Sequence, residues 1–423
     1  MSERVAIFGG GLSGQGARRL ARAKGLSAAL FDENGRGDSS SFDAEAVAGF
    51  DRFVFSPGFP EDHPWRRLCE ASSKICCSEI AFAATYWKGR LIGVTGTNGK
   101  TTTTQLLQQA LACAGEISVA AGNIGHALSE AVLAESNQLG ATAIVEISSF
   151  QAELAEGLEL DALIWTNFAE DHLDRYSDMQ SYFAAKAHLL GCLRPEGICV
   201  VGPQAAEWIE REQGDLGSAI VADERIAEPL VSTLAEDSVF KRPPFVENFT
   251  LAANLWHLLD HPADCLIEAA NAFDLADHRL SLVTEIGGVR FWNDSKATNF
   301  HAALAALNSI DGPIVWIGGG QSKGGDLNAF AEAIAPSLTV AVLYGEIAEA
   351  LAEALSASMD SVHTFGSFKD AVMAAAEHAF SVPDSNVLLS PGFASFDQFS
   401  SYGARGKTFI DMVLGLKRAD ELQ

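Results

Sequence analysis

The sequence predicts an α/β protein built on parallel sheets, and three observations predict it. Short apolar runs recur along the 423 residues, each followed by a Gly or Ser/Thr turn and then an amphipathic helical stretch. That alternation starts afresh in three blocks. The composition, 48% hydrophobic and 20% charged, is that of a chain able to bury cores rather than a disordered one.

The first block opens with Val5–Phe8 and continues through Ala28–Phe31 and Phe53–Phe55. The second opens with Leu91–Val94 and includes Ala143–Ile147, Ala162–Trp165 and Ile198–Val201. Between them, Tyr86-Trp87-Lys88-Gly89-Arg90 reads as a boundary. The third begins near His278 with a hairpin pattern, Leu282–Ile286, Gly287-Gly288, Val289–Trp292. It continues with Ile314–Ile317, Thr339–Leu343 and Val387–Leu389. Three domains are expected, at about 1–88, 89–276 and 277–423.

A net charge of −26 argues against nucleic acid or an anionic membrane face as the main partner. Any anionic ligand must be met locally, by glycine loops, helix N-termini, a few Lys or Arg and metal ions. No apolar run approaches the roughly 18–20 residues that span a bilayer. The opening residues lack the basic region of a signal peptide. The seven cysteines show no CxxC pair and no metal-ligand spacing, so they read as reduced thiols in a cytoplasm.

Gly9-Gly10-Gly11-Leu12-Ser13-Gly14 fits G-x-G-x-x-G, between a strand and a helix that begins near Gln15. Asp32 follows about 20 residues on. Glycines there let backbone approach a pyrophosphate, and the acid reaches a ribose or base; a structural strand–helix turn is the alternative. Gly96-Thr97-Asn98-Gly99-Lys100-Thr101 also follows a strand, ahead of a helix at Thr102–Ala114. Val94 stands where the strict phosphate-loop pattern wants glycine, but Gly-Lys-Thr carries the chemistry. Backbone N–H groups wrap phosphates, Lys100 reaches the β and γ oxygens, and the Thr101 hydroxyl ligates Mg²⁺. This is read as a nucleoside triphosphate site.

Glu146-Ile147-Ser148 ends an apolar strand, where a carboxylate can take a second position on Mg²⁺ or simply cap the next helix. Asp171-His172-Leu173-Asp174 follows another strand end, which makes His172 a candidate ligand. Lys186, in Phe183-Ala184-Ala185-Lys186, reads on its own as a solvated helix lysine. In the third block, Asn293–Asn299, the nest Gly318–Gly325 with Lys323, and Ser390–Phe399 each follow a strand. Three polar turns at one sheet edge predict a second ligand.

Taken together, these segments resemble the Mur ligases of peptidoglycan synthesis. GVTGTNGKTTTT, GNIG at 122–125, EISSFQ, DHLDRY, NDSKATN and SPGFASFDQF run in family order, and the resemblance spans Gly9 to about Phe409. NDSKATN and ASFDQF point to the branch that adds D-glutamate. The resemblance implies a three-domain Mur ligase architecture: a Rossmann-like N-terminal domain, a P-loop ATPase-like central domain and a Rossmann-like C-terminal domain. It implies ATP-dependent ligation of D-glutamate to UDP-N-acetylmuramoyl-L-alanine through an acyl phosphate, with two Mg²⁺ ions, in a cytoplasmic monomer.

The resemblance also assigns residues. The UDP substrate would meet Leu12, Ser13, Asp32, Gly58, Asn123 and Ser148. ATP would meet Gly96, Thr97, Asn98, Gly99, Lys100, Thr101, Thr102, Asn248, Arg279 and Asp294. One metal falls to Thr101 and Glu146, the other to His172 with Lys186, a position that is usually carbamylated in the family. Glutamate would meet Thr298, Lys323, Ser395, Phe396 and Tyr402. The catalytic set is thus Lys100, Glu146, His172 and Lys186. Four stretches depart from the family pattern: Leu251 for a second adenine-side Asn, His126 after GNIG, Gly392-Phe393 for small residues, and Glu33-Asn34 on the uracil side. The same chemistry with L-glutamate, a non-catalytic nucleotide-binding regulator and a nicotinamide oxidoreductase are the alternatives. The phosphate loop would have no purpose in the last of these.

Overall fold

The computed structural model describes residues 2–420. The chain divides into two compact units. The first takes residues 2–168, Asp178–Lys241 and Phe245–Phe273; the second takes Ala169–Ser177, Arg242–Pro244 and residues 274–420.

The first unit holds two parallel sheets. One has the order β2-β1-β3-β4, from β1 (Arg4–Phe8), β2 (Ser27–Phe31), β3 (Arg52–Phe55) and β4 (Ile75–Ser78). The other has the order β10-β9-β8-β5-β7-β6. Its strands are β5 (Arg90–Thr95), β6 (Ser118–Gly122), β7 (Thr142–Glu146), β8 (Leu160–Trp165), β9 (Leu193–Val201) and β10 (Ala219–Val221). Strands covered on both faces must be apolar throughout, and β7 and β8 are buried along nearly all their length. Phe8 stacks on Phe55 with ring centroids 4.4 Å apart and meets Phe42 edge-on at 4.9 Å. Phe31, Phe53, Phe59 and Trp65 complete that aromatic core.

Tyr86–Arg90 is not a loose linker. Lys88 N–H donates to Asn137 Oδ1 at 2.9 Å, and Asn137 Nδ2 donates back to the Tyr86 carbonyl at 3.1 Å. Helix Leu12–Ala23 packs on helix Leu128–Leu133 at Gly16, where an added Cβ would lie 3.2 Å from Glu130 Oε1 and 3.3 Å from Ala127 Cβ. Arg19 pairs with Glu130 at 2.5 Å, and buried Glu79 accepts from Ser129 N–H at 2.7 Å. These contacts join the two sheets.

The second unit carries one sheet of order β11-β12-β16-β13-β14-β15. The expected hairpin is β11 (Ser281–Ile286) with β12 (Val289–Asn293), antiparallel across Gly287-Gly288. The rest, β13 (Ile314–Gly319), β14 (Val340–Tyr344), β15 (Val362–Phe365) and β16 (Asn386–Gly392), pair in parallel. Because β16 lies between β12 and β13, the turns after all three leave from one edge. Among the described residues, no helix is long and apolar enough to cross a membrane.

Candidate functional site

At the first sheet, β1 lies between β2 and β3, so the turns after these three strands meet. Gly9 has φ +99°, and a Cβ on Gly14 would stand 1.8 Å from the Gly9 carbonyl oxygen; only glycine lets helix Leu12–Ala23 start this close. Asp32 is buried and spends its carboxylate on the loop itself. It accepts from Gly10 N–H at 2.6 Å, Asn34 N–H at 3.0 Å and Arg36 N–H at 3.2 Å. The Gly10 bond above all holds its pKa below the usual value, against desolvation. A cavity of about 230 Å³ is lined by Gly9–Gly11, Asp32, Asn34, Arg36 and Gly58. Leu12, exposed, and Ser13, half-buried, stand in the first turn of the helix.

At the second sheet the phosphate loop joins β5 to helix Lys100–Cys113. Gly96 has φ +141°, and a Cβ there would meet Thr166 Oγ1 at 1.9 Å; one on Gly99, φ +82°, would meet Asn248 Oδ1 at 2.0 Å. The loop is fixed from β8's exit: Thr97 N–H donates to Asn167 O at 3.1 Å, Asn98 N–H to Asn167 Oδ1 at 2.8 Å, and Thr166 Oγ1 to Asn98 O at 2.6 Å. Lys100 Nζ donates to Gly96 O at 2.8 Å and Thr97 O at 2.7 Å. Thr102, in the first turn of the helix, is buried.

Lys186 is where the structure overturns the reading of a solvated helix lysine. It is 1% exposed on helix Met179–Ala187, donates from Nζ to Gly96 O at 2.9 Å and lies 5.0 Å from the Tyr182 ring centroid. Two ammonium groups thus converge on one carbonyl. Beside them, Thr101 Oγ1 donates to Glu146 Oε2 at 2.6 Å and Asn123 Nδ2 to Glu146 Oε1 at 3.0 Å. Asn123 and Ser148, expected at the UDP substrate, therefore stand at this edge with Glu146. Ser148 also closes a capping box with Gln151.

In the second unit the three polar turns meet as expected. Asp294 is buried, accepts from Ser390 Oγ at 2.8 Å and Leu280 N–H at 3.1 Å, and burial pushes its pKa up to about 7. The Arg279 guanidinium acts in the opposite sense. Lys323 Nζ lies 3.0 Å from Asp171 Oδ1 and 3.5 Å from Thr298 Oγ1. Asn299 Nδ2 donates to Asp171 Oδ2 at 3.0 Å. His172, next in sequence, takes the left-handed conformation at φ +58°. Ser395 is buried, Phe396 and Tyr402 are exposed, and the Tyr402 carbonyl accepts from Ser295 Oγ at 2.8 Å. Among the described residues no three His, Cys, Asp or Glu side chains cluster as a metal site.

Comparison with known proteins decides the family. The Mur ligase middle domain matches residues 94–223, and the Mur ligase glutamate ligase domain matches residues 278–393. The UDP-N-acetylmuramoylalanine--D-glutamate ligase of Gloeobacter violaceus is 32% identical, over 97% of this chain and 99% of its own length. The chain belongs to the Mur ligase family. The Syntrophotalea carbinolica protein of the same name is 31% identical over 98% of both chains. Among solved structures, a pseudomurein peptide ligase type C from Methanothermus fervidus covers 97% of this chain and is itself covered completely (TM-score 0.60, 16% identity). The MurF ligase of Thermotoga maritima, solved with ADP, covers 97% of this chain and 94% of its own (TM-score 0.59, 14% identity). The α/β architecture of parallel sheets is that of the Mur ligases.

Two residues of this Mur ligase escaped the sequence reading. Asp171 stood in view only as the neighbour of His172. Arg405, on helix Tyr402–Asp420, is fully buried. It donates to Ser295 Oγ at 2.9 Å, Ser295 O at 2.8 Å, Tyr344 OH at 3.0 Å and Phe393 O at 3.2 Å. It therefore ties two of the polar turns together. Of the departures, Leu251 is buried and lines a cavity of about 480 Å³ with Thr166, Glu247 and Thr250, where an asparagine would have brought an amide. Phe393 is buried against Phe300 and Phe330, so it is a core residue under the turn.

Proposed function

We propose that the phosphate loop of the first unit holds the triphosphate of ATP while the polar edge of the second unit holds the amino acid. The protein is an ATP-dependent ligase of peptidoglycan precursor synthesis, adding D-glutamate to UDP-N-acetylmuramoyl-L-alanine. The observation that carries the reading is the glycine loop that seats Lys100 Nζ on Gly96 O and Thr97 O beside the Thr101–Glu146 pair. In-line attack by the alanyl carboxylate on the γ-phosphorus loads negative charge onto the transferring group. Lys100 faces that charge from the loop, where the N–H groups of Gly99–Thr101 begin a helix. The product is an acyl phosphate and ADP. The amine of glutamate then attacks the acyl carbon, and phosphate leaves with the amide formed.

Thr101 and Glu146 offer only oxygen donors, which suits Mg²⁺. When bound, that ion would neutralise phosphate charge; a second ion is proposed at a carbamylated Lys186. The first glycine loop, with Leu12, Ser13 and Gly58, is assigned to UDP. Asn248, Arg279 and Asp294 keep their assignment to ATP. Thr298, Lys323, Ser395, Phe396 and Tyr402 are assigned to the glutamate carboxylates. All seven cysteines are free thiols, in keeping with a cytoplasmic setting.

The test is phosphate release by the purified protein with Mg-ATP and UDP-N-acetylmuramoyl-L-alanine, comparing D- with L-glutamate. Release that depends on D-glutamate is expected. Release with L-glutamate alone would keep the mechanism and change the substrate, and no release with either would favour a regulatory protein.

A further inference from the structure

Asp171 reaches into the pocket assigned above to the substrate carboxylates, and it makes the bonds such a carboxylate would make. Its Oδ1 takes Lys323 Nζ at 3.0 Å and the His172 N–H at 2.8 Å; its Oδ2 takes Asn299 Nδ2 at 3.0 Å. Lys323 Nζ stands 3.5 Å from Thr298 Oγ1, so Lys and Thr already flank one carboxylate. Asp171 and Lys323 thus form an ion pair in this place.

The space left over is small. The pocket bounded by Asp171, Thr298, Asn299, Lys323, Gly324 and Phe393 has a volume of about 20 Å³, room for a single water. An amino acid cannot enter while Asp171 stays. The segment that carries Asp171 is also well seated. Leu173 packs against Gly324, where an added Cβ would lie 3.1 Å from Leu173 Cβ, and Glu170 crowds Gly325 in the same way at 2.9 Å.

We propose that Asp171 is a built-in substitute for the substrate carboxylate, occupying the Lys323–Thr298 seat in the resting protein, so that glutamate docks by exchanging one carboxylate for another. This rests on the assignment of Lys323 and Thr298 to glutamate. The exchange keeps a half-buried ammonium from standing without a counter-charge before substrate arrives. Its consequence is thermodynamic competition: every acidic ligand at this seat must first break the internal ion pair. A side chain without a carboxylate would break the pair and leave Lys323 without its counter-charge.

Titration calorimetry of the full chain with glutarate, which has both carboxylates and no amine, tests the proposal apart from chemistry. Asp171→Asn keeps the shape and an acceptor for Asn299 but removes the competing charge. It should tighten glutarate binding roughly fivefold, the scale of a partly exposed ion pair. Affinity should also fall more steeply with added salt in the variant than in the natural protein, because the variant forms an ion pair without breaking one. Asp171→Ser serves as a second variant should the first fold poorly. The gain must vanish in Asp171→Asn combined with Lys323→Ala. Unchanged or weaker glutarate binding in both Asp171 variants would overturn the proposal while leaving the seat intact. Glutarate affinity that ignores Lys323→Ala would overturn the seat and the proposal together.

Discussion

Arg405 should resist even its most conservative replacement. Its guanidinium is completely buried, and its hydrogen-bond partners among the described residues are all uncharged: Ser295 Oγ and O, Tyr344 OH and Phe393 O. Replacing it with methionine strips a donor from two buried carbonyls, at about 1–3 kcal/mol for each group left unpaired. Part of that loss is offset, because a guanidinium no longer has to be dehydrated. A net destabilisation of about 3 kcal/mol follows from these terms. Lysine fares no better. It retains the dehydration cost of a charge, yet its point-like ammonium cannot bridge Ser295 and Phe393 as the planar fork does. Arg405→Lys should therefore lose at least as much as Arg405→Met. Urea unfolding followed by tryptophan emission measures this, since Trp292 and Trp316 lie in the sheet of the second unit. The midpoints should fall by about 1 M for slopes of about 3 kcal/mol per M. An Arg405→Lys protein within about 0.5 kcal/mol of the natural one would refute the reasoning.

Three further predictions concern the titrating and phosphate-binding groups. Lys100→Ala should abolish phosphate release while leaving affinity for the UDP substrate largely intact, as paired turnover and binding assays would show; lost affinity with retained turnover would reverse the assignment. Lys186→Ala should be inactive and recover with added short carboxylates; full activity without them would reject carbamylation. Asp294 has its pKa raised by burial from 3.8 to about 7, so the folded state holds this proton more tightly than the unfolded one. Its contribution to stability is complete below about pH 3.8 and is lost as the pH rises through 7. Asp294→Asn should flatten the pH dependence of unfolding over that window, and an unchanged slope would count against a buried neutral carboxyl.

The strands that carry the glycine loops were legible because each is an apolar run ended by small residues. β4 and β6 were not. Ile75-Cys-Cys-Ser is short and mixed, and Ser118-Val-Ala-Ala-Gly has too few bulky side chains to stand out from helical alanine. β10 and β15, three and four residues long at sheet edges, carry too little pattern. Motifs made the loop residues Gly96 to Thr102 readable by position. Lys186 and Arg405 show the limit of such reading. Each is a charged residue within a helix, and only the packing of other elements decides that it is buried. Asp171 was hidden differently: its meaning lies in Lys323 and Asn299, more than 120 residues away.

The close packing at Gly16 has a consequence for length. Because a methyl group would already crowd Glu130 and Ala127 there, and Arg19 and Glu79 bind across the same seam, the first glycine loop and the phosphate loop cannot drift apart independently. They act as the fixed jaws of a caliper. On the proposed assignment, a nucleotide-sugar held at one jaw would present its far end to the other only if its own span matched the gap. Substrates one residue shorter or longer would then be turned away by reach rather than by any contact with the added or missing group.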